Sequence, residues 1–220
     1  MDQVEKKRQA AAAALGFIKP HTVLGVGTGS TVNCLIDLLP GVRNRLEALV
    51  ASSQATEERL RGLDFRVREL SQVADPDLYI DGADEANQHF QLIKGGGGAL
   101  TREKILAGAA GKFICIIDDS KWVRQLGRFP LPIEVIPMAQ SFVARQLVKA
   151  GGQPVLRAGF VTDNGNHILD VHNLDIRNPA DMETRFNQIP GVVTVGIFAN
   201  RPADVILMAE DSGLRTLERE

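Results

Sequence analysis

Four short apolar runs in the first 118 residues each empty into a polar cluster. Residues 22–26 lead into GVGTGST (25–31), 46–51 into SSQAT (52–56), 78–81 into DGADE (81–85), and FICIID (113–118) into Asp119, Ser120 and Lys121. Before and between them lie segments that read as helices, at 3–18, 30–39, 57–62 and 99–109. Residues 65–70 read as a strand edge. Strands alternating with helices predict a parallel sheet covered on both faces. In such sheets ligands bind at the carboxyl ends of the strands. All four clusters fall at carboxyl ends, so the pattern predicts a single site.

The pattern changes near Phe129-Pro130-Leu131-Pro132. Strands are expected at 133–137, 154–156, 167–172 and 192–198, with helices at 139–149 and 179–188. That order, βαββαβ, is the signature of a ferredoxin-like module. Residues 203–208 form a further apolar strand that rejoins the first sheet. The expected fold is therefore α/β, a Rossmann-like, mostly parallel sheet domain with a second, smaller ferredoxin-like α+β domain. The boundaries put 1–129 and 202–220 in the larger domain and 130–201 in the smaller one.

Composition excludes several classes. The 25 basic and 27 acidic residues leave a net charge of -2, so no basic footprint for nucleic acid is expected. No apolar stretch approaches the ~20 residues that span a bilayer. Lys6, Lys7 and Arg8 before an alanine-rich run superficially resemble a signal peptide, but the segment reads as a first helix. Cys34 and Cys115 lie far apart in apolar surroundings, as expected of buried, reduced thiols in the cytoplasm. The four histidines show no ligand spacing, so no transition metal is expected.

GVGTGST sits between a strand and a helix. Backbone N–H groups with the hydroxyls of Thr28, Ser30 and Thr31 suit an anion, helped by the helix N-terminus. A dinucleotide fingerprint fails, because position 30 is Ser and no acid ends the second strand. A P-loop fails for lack of a following Lys-Ser or Lys-Thr. A purely structural tight turn remains the rival. DGADE offers carboxylates for a hydroxyl clamp, a hard cation or merely a solvated turn. Lys94 followed by Gly95, Gly96, Gly97 and Gly98 sets an ammonium beside a backbone that a ligand can approach closely. Glu103, just inside the next helix, is either a dipole-stabilising residue or a general base. Lys7 and Lys121 are the cations best placed to assist a phosphate.

Taken together, GVGTGST, DGADE and KGGGGALTREK (94–104), in that order and spacing, resemble the type A ribose-5-phosphate isomerases. The resemblance extends through FPLPIEVIPMA (129–139), VTDNGNHILDV (161–171) and IPGVVTVGIFANR (189–201), and so runs essentially end to end. It implies interconversion of ribose 5-phosphate and ribulose 5-phosphate in the pentose phosphate pathway, without cofactor or metal. It implies Glu103 as the base, with Asp81, Asp84 and Lys94 around the opened sugar. It implies a substrate-binding surround of Lys7, Thr28, Gly29, Ser30, Thr31, Gly82, Ala83, Gly95, Gly96, Gly97 and Lys121. A homodimer, or a tetramer built from dimers, follows from the same resemblance. One departure is Gly98, where the family commonly has Ala, with a slightly looser helix start as the expected result. The loop at 52–56 is also less acidic than usual. Two rival classes are a non-catalytic sugar-phosphate sensor and an amino-sugar phosphate deaminase.

Overall fold

The computed structural model describes residues 1–219 of the 220-residue chain. Its helices are α1 (Gln3–Ala14), α2 (Ser30–Leu38), α3 (Gln54–Gly62), α4 (Leu100–Ala109), α5 (Gln140–Lys149) and α6 (Pro179–Asn187). The first strands are β1 (Thr22–Val26), β2 (Leu46–Ala51), β3 (Leu78–Asp81), β4 (Glu85–Ala86), β5 (Leu92–Ile93) and β6 (Lys112–Asp118). The remainder are β7 (Leu131–Val135), β8 (Gln153–Leu156), β9 (His167–His172), β10 (Val192–Val195), β11 (Ile197–Phe198), β12 (Val205–Glu210) and β13 (Gly213–Glu218).

The chain forms two compact units. The first holds Met1–Ala83, Arg102–Trp122 and the chain from Ala203 onward; the second holds Asp84–Thr101 and Val123–Pro202. In the first unit six strands lie in the order β13-β12-β6-β3-β1-β2. All neighbours are parallel except the β12–β13 hairpin. Counted by parallel strands from the β2 edge, the order is 2-1-3-4-5, a doubly wound arrangement whose direction reverses between β1 and β3. Strand alternation sends Leu24, Val26, Leu78, Ile80, Ile114 and Ile116 into one apolar core with the alanines of α1. Gly25, Tyr79, Asp81 and Phe113 therefore belong to the opposite face.

In the second unit β7, β8, β9 and β10 form an antiparallel sheet in the order β10-β7-β9-β8. With α5 and α6 this is the βαββαβ arrangement the sequence predicts. Its core gathers Ile133, Val135, Val143, Leu147, Leu169 and Phe186. A second small sheet, β11-β5-β4, completes the unit.

The differences from expectation have local causes. Residues 192–198 divide at Gly196, so β10 and β11 join different sheets. The Gly196 N–H donates to the Pro132 carbonyl at 2.7 Å, and its carbonyl accepts from the Lys94 N–H at 2.9 Å. A Cβ at this position would overlap the Lys94 carbonyl. Strand β7 begins at Leu131 despite Pro132. Helix α3 starts three residues earlier than predicted because Ser53 caps it, accepting from the Thr56 N–H at 3.1 Å. The expected strand edge at 65–70 reduces to one bridge, Leu49 to Val67. Cys115 is buried, but Cys34 is only half-buried.

Candidate active site

In the first unit the carboxyl ends of β1, β2 and β3 bring Thr28, Ser52 and Asp81 together at the point where strand order reverses. Asp81 is fully buried. Its Oδ1 accepts from the Thr28 N–H at 3.0 Å and the Gly82 N–H at 2.7 Å. Its Oδ2 accepts from the Tyr79 hydroxyl. Gly27 makes this possible, since a Cβ there would overlap the Asp81 carboxyl. The Thr28 hydroxyl turns inward to Ser52 (2.8 Å) and Ser53 (2.9 Å). Thr56 closes the group by donating to the Gly27 carbonyl at 2.7 Å. Ser52, Ser53 and Thr56 of SSQAT thus form a buried hydroxyl cluster under the loop, where the sequence suggested only a loop at a strand's end.

Helix α2 opens at Ser30 behind Gly29, whose φ of +115° suits glycine. No side chain caps this end, so the partial positive charge of its first amides faces outward. Lys7 Nζ donates to Ser30 Oγ at 3.0 Å, bringing a cation to that terminus, and Thr31 follows in the first turn. Lys121 ends a short 3₁₀ turn, residues 119–121, that follows β6 and is capped by Asp118.

Glu103 also belongs to this unit. It is only 4% exposed and sits in the first turn of α4. Its charge acts on Tyr79, whose phenol is held well above its ordinary value of 10.0. Burial is the main cause, followed by the charges of Asp81 and Glu103. Asp81, Tyr79 and Glu103 therefore form one buried electrostatic group.

In the second unit Asp84 accepts from the Gly96 N–H at 2.8 Å, and its own N–H donates to the Ile93 carbonyl. Gly82 and Ala83 are the short link from Asp81. Lys94 is buried, with its ammonium 5.7 Å from the centre of the Phe198 ring. Gly95 has a φ of +107° and accepts at its carbonyl from the Gly98 N–H. Gly96 and Gly97 are exposed. Gly98 does not loosen the helix start. Its φ is +81°, and the Phe160 ring fills the space a Cβ would take.

Remote residues hold this loop, and sequence reasoning missed them. The Arg157 guanidinium donates to the carbonyls of Gly95 and Gly96, each at 3.1 Å, while paired with Asp170. Buried Glu134 accepts from the Thr101 hydroxyl at the start of α4, and from Thr162, Asn164 and Asn166. Neither has a local signal, because both partners lie tens of residues away. Glu85, by contrast, is structural: it accepts from the N–H groups of Gly127 and Phe129, each at 2.7 Å. Among the described residues no group of three or more His, Cys, Asp or Glu is arranged to hold a metal ion. The first unit offers carboxylates and an open helix terminus with the Lys7 ammonium beside it, and the second offers the Lys94 ammonium beside the glycine loop.

Residues 48–213 match the model of the family described as ribose 5-phosphate isomerase A (phosphoriboisomerase A). The ribose 5-phosphate isomerase A of Neisseria gonorrhoeae is 45% identical over 99% of this chain and 97% of its own, with a TM-score of 0.96. A D-ribose-5-phosphate isomerase solved in complex with phospho-erythronic acid is 39% identical, covers 100% of both chains and has a TM-score of 0.95. The ribose 5-phosphate isomerase of Methanocaldococcus jannaschii is 35% identical over 98% of this chain and 99% of its own, at a TM-score of 0.92.

Proposed function

The chain belongs to the ribose 5-phosphate isomerase A family, and we propose that it isomerises its sugar phosphate through an enediolate made and quenched by Glu103. The reaction interconverts D-ribose 5-phosphate and D-ribulose 5-phosphate, a step of the pentose phosphate pathway. The observation that carries the mechanism is the buried Glu103 carboxylate, sharing an electrostatic group with Asp81 and Tyr79 in the turn that follows the glycine loop.

Glu103 removes the proton from C2 of the open aldose and returns it to C1, while a hydroxyl proton moves from O2 to O1. No atom is gained or lost, and the carboxylate is restored. A positioned base of this kind contributes ~10²–10⁴-fold. The Lys94 ammonium opposes the charge that develops on the enediolate oxygens, assisted by N–H groups of Gly95, Gly96 and Gly97. Asp81 relays the hydroxyl proton during ring opening, and Asp84 orients the sugar hydroxyls. Ser30, Thr31 and Gly29 at the α2 terminus, with Lys7 and Lys121, bind the phosphate and hold the short sugar in register. Phospho-erythronic acid, bound by a relative, has a phosphate at one end and a planar, anionic carboxylate at the other, which resembles the charged oxygen end of an enediolate phosphate.

The same reading includes a homodimer, or a tetramer of dimers, in the cytoplasm. The edge strand β8 supports it, since Val155 and Leu156 are exposed there and an open edge invites pairing. Among the described residues no helix is long and apolar enough to cross a membrane.

Glu103→Gln tests the mechanism. Turnover of ribose 5-phosphate should fall by ~10²–10⁴-fold, while calorimetry still detects phospho-erythronic acid binding. Near-normal turnover would remove Glu103 from the role of base.

A further inference from the structure

Tyr79 has no task in the reaction as derived, yet its hydroxyl lies at the centre of the buried group. The ring alone is easily explained. It stacks on Phe113 with centroids 5.0 Å apart, and Gly25 leaves room for it, since a Cβ there would come within 2.9 Å. A phenylalanine would satisfy that packing, so the hydroxyl needs its own reason.

Tyr79 and Asp81 are two residues apart on β3, and the pleat sets both on one face of the sheet while Ile80 enters the apolar core on the other. The phenol donates to Asp81 Oδ2. The other carboxylate oxygen, Oδ1, accepts from the Thr28 N–H at 3.0 Å, and the Thr28 hydroxyl meets Ser52 Oγ at 2.8 Å. Tyr79, Ser52 and Asp81 are all at 0% exposure. A hydrogen-bonded chain thus runs from Tyr79 through Asp81 to Thr28 and on to Ser52.

We propose that Tyr79 is a positioning residue for the isomerisation: its hydroxyl fixes the Asp81 carboxylate, which in turn holds the Thr28 N–H. The acid that serves the sugar and the loop beside it are thereby set as one body. This rests on the role given to Asp81 above. A phenol suits the task because two torsions and a packed ring fix its oxygen, where a longer or smaller donor would wander. Burial and the neighbouring carboxylates also keep its proton in place throughout the working pH range.

The test is a double-mutant cycle of Tyr79→Phe with Asp81→Asn, read as kcat and KM for ribose 5-phosphate alongside melting temperature. Tyr79→Phe should lower kcat about tenfold, the scale on which small misplacements act, and leave KM within about twofold. In the Asp81→Asn background the same change should cost less than about twofold, because a residue acting through Asp81 has nothing left to position. An unchanged kcat, or the same loss in both backgrounds, overturns the proposal. If Tyr79→Phe does not fold, the cycle is run with Tyr79→Leu, which also removes the hydroxyl, and additivity there overturns it equally. An inactive wild-type protein would refute the isomerase reading itself, whereas an active one indifferent to Tyr79→Phe refutes only this inference.

Discussion

The two glycine-rich loops, 25–29 and 95–98, look alike as sequence and are built for different reasons. In the first, Gly25 and Gly27 make room for side chains from the neighbouring strand: the Tyr79 ring and the Asp81 carboxyl occupy the space their Cβ atoms would need. Only Gly29 carries a positive φ. In the second, Gly95 and Gly98 are demanded by the backbone, with φ of +107° and +81°. A glycine between two functional elements therefore need not be a ligand's footprint. It can be the space that a buried acid occupies.

Substitution can break this contrast. The largest effect is expected from Gly27→Ala. The new methyl meets the Asp81 carboxyl inside a sheet that cannot yield, and displacing that group by ~1 Å should cost about 100-fold in kcat. Steady-state kinetics measure it, and a kcat close to wild type would show that Asp81 need not be where it is. Gly98→Ala should act mainly on stability. A non-glycine residue in the left-handed region costs about 1–2 kcal/mol, and the clash with Phe160 adds to it. Phe160→Ala in the same chain should restore the steric part but not the backbone part, which denaturant titration resolves. Complete rescue would mean that the positive φ at 98 is not required.

The smallest effect comes from pH, since the neighbour admitted by Gly25 titrates and the one admitted by Gly98 does not. Tyr79 has a folded-state pKa above its ordinary 10.0, so the unfolded chain releases this proton first. Its contribution to stability is complete below about pH 10 and declines as pH rises further. Lys6 is raised above its ordinary 10.5 through hydrogen bonds to Asp119 and Asp211, and it acts in the same direction at slightly higher pH. Denaturation midpoints should therefore hold up to about pH 10 and fall above it, and fall less in Tyr79→Phe. Equal slopes for both proteins would contradict the assigned phenol.

What the sequence made legible was whatever is written locally. Strands β1, β2 and β3 match their expected bounds residue for residue, because an apolar run with a turn signal at its end needs no distant information. The βαββαβ order of the second unit was legible for the same reason. The division at Gly196 was not, because the cause is the Lys94 carbonyl a hundred residues earlier. The two-residue strands β4 and β5 and the hairpin strand β13 were likewise missed, being too short or too polar to show a period. At the candidate site, the residues that stand in short motifs could be named from the sequence. Arg157, Glu134 and Phe160 could not, since only folding brings them to the residues they hold. Tyr79 lies between these cases: its distance of two from Asp81 on a predicted strand was a usable signal.

Gly196 also bears on how freely this chain can change. Lys94 is located through its main chain, by an N–H that meets a glycine carbonyl at the joint between two sheets. Main-chain addresses are indifferent to which side chains surround them. Side chains that merely surround this contact can thus vary, whereas position 196 is closed to every residue that has a Cβ. The cation's placement depends on a position where the sequence holds no chemistry at all.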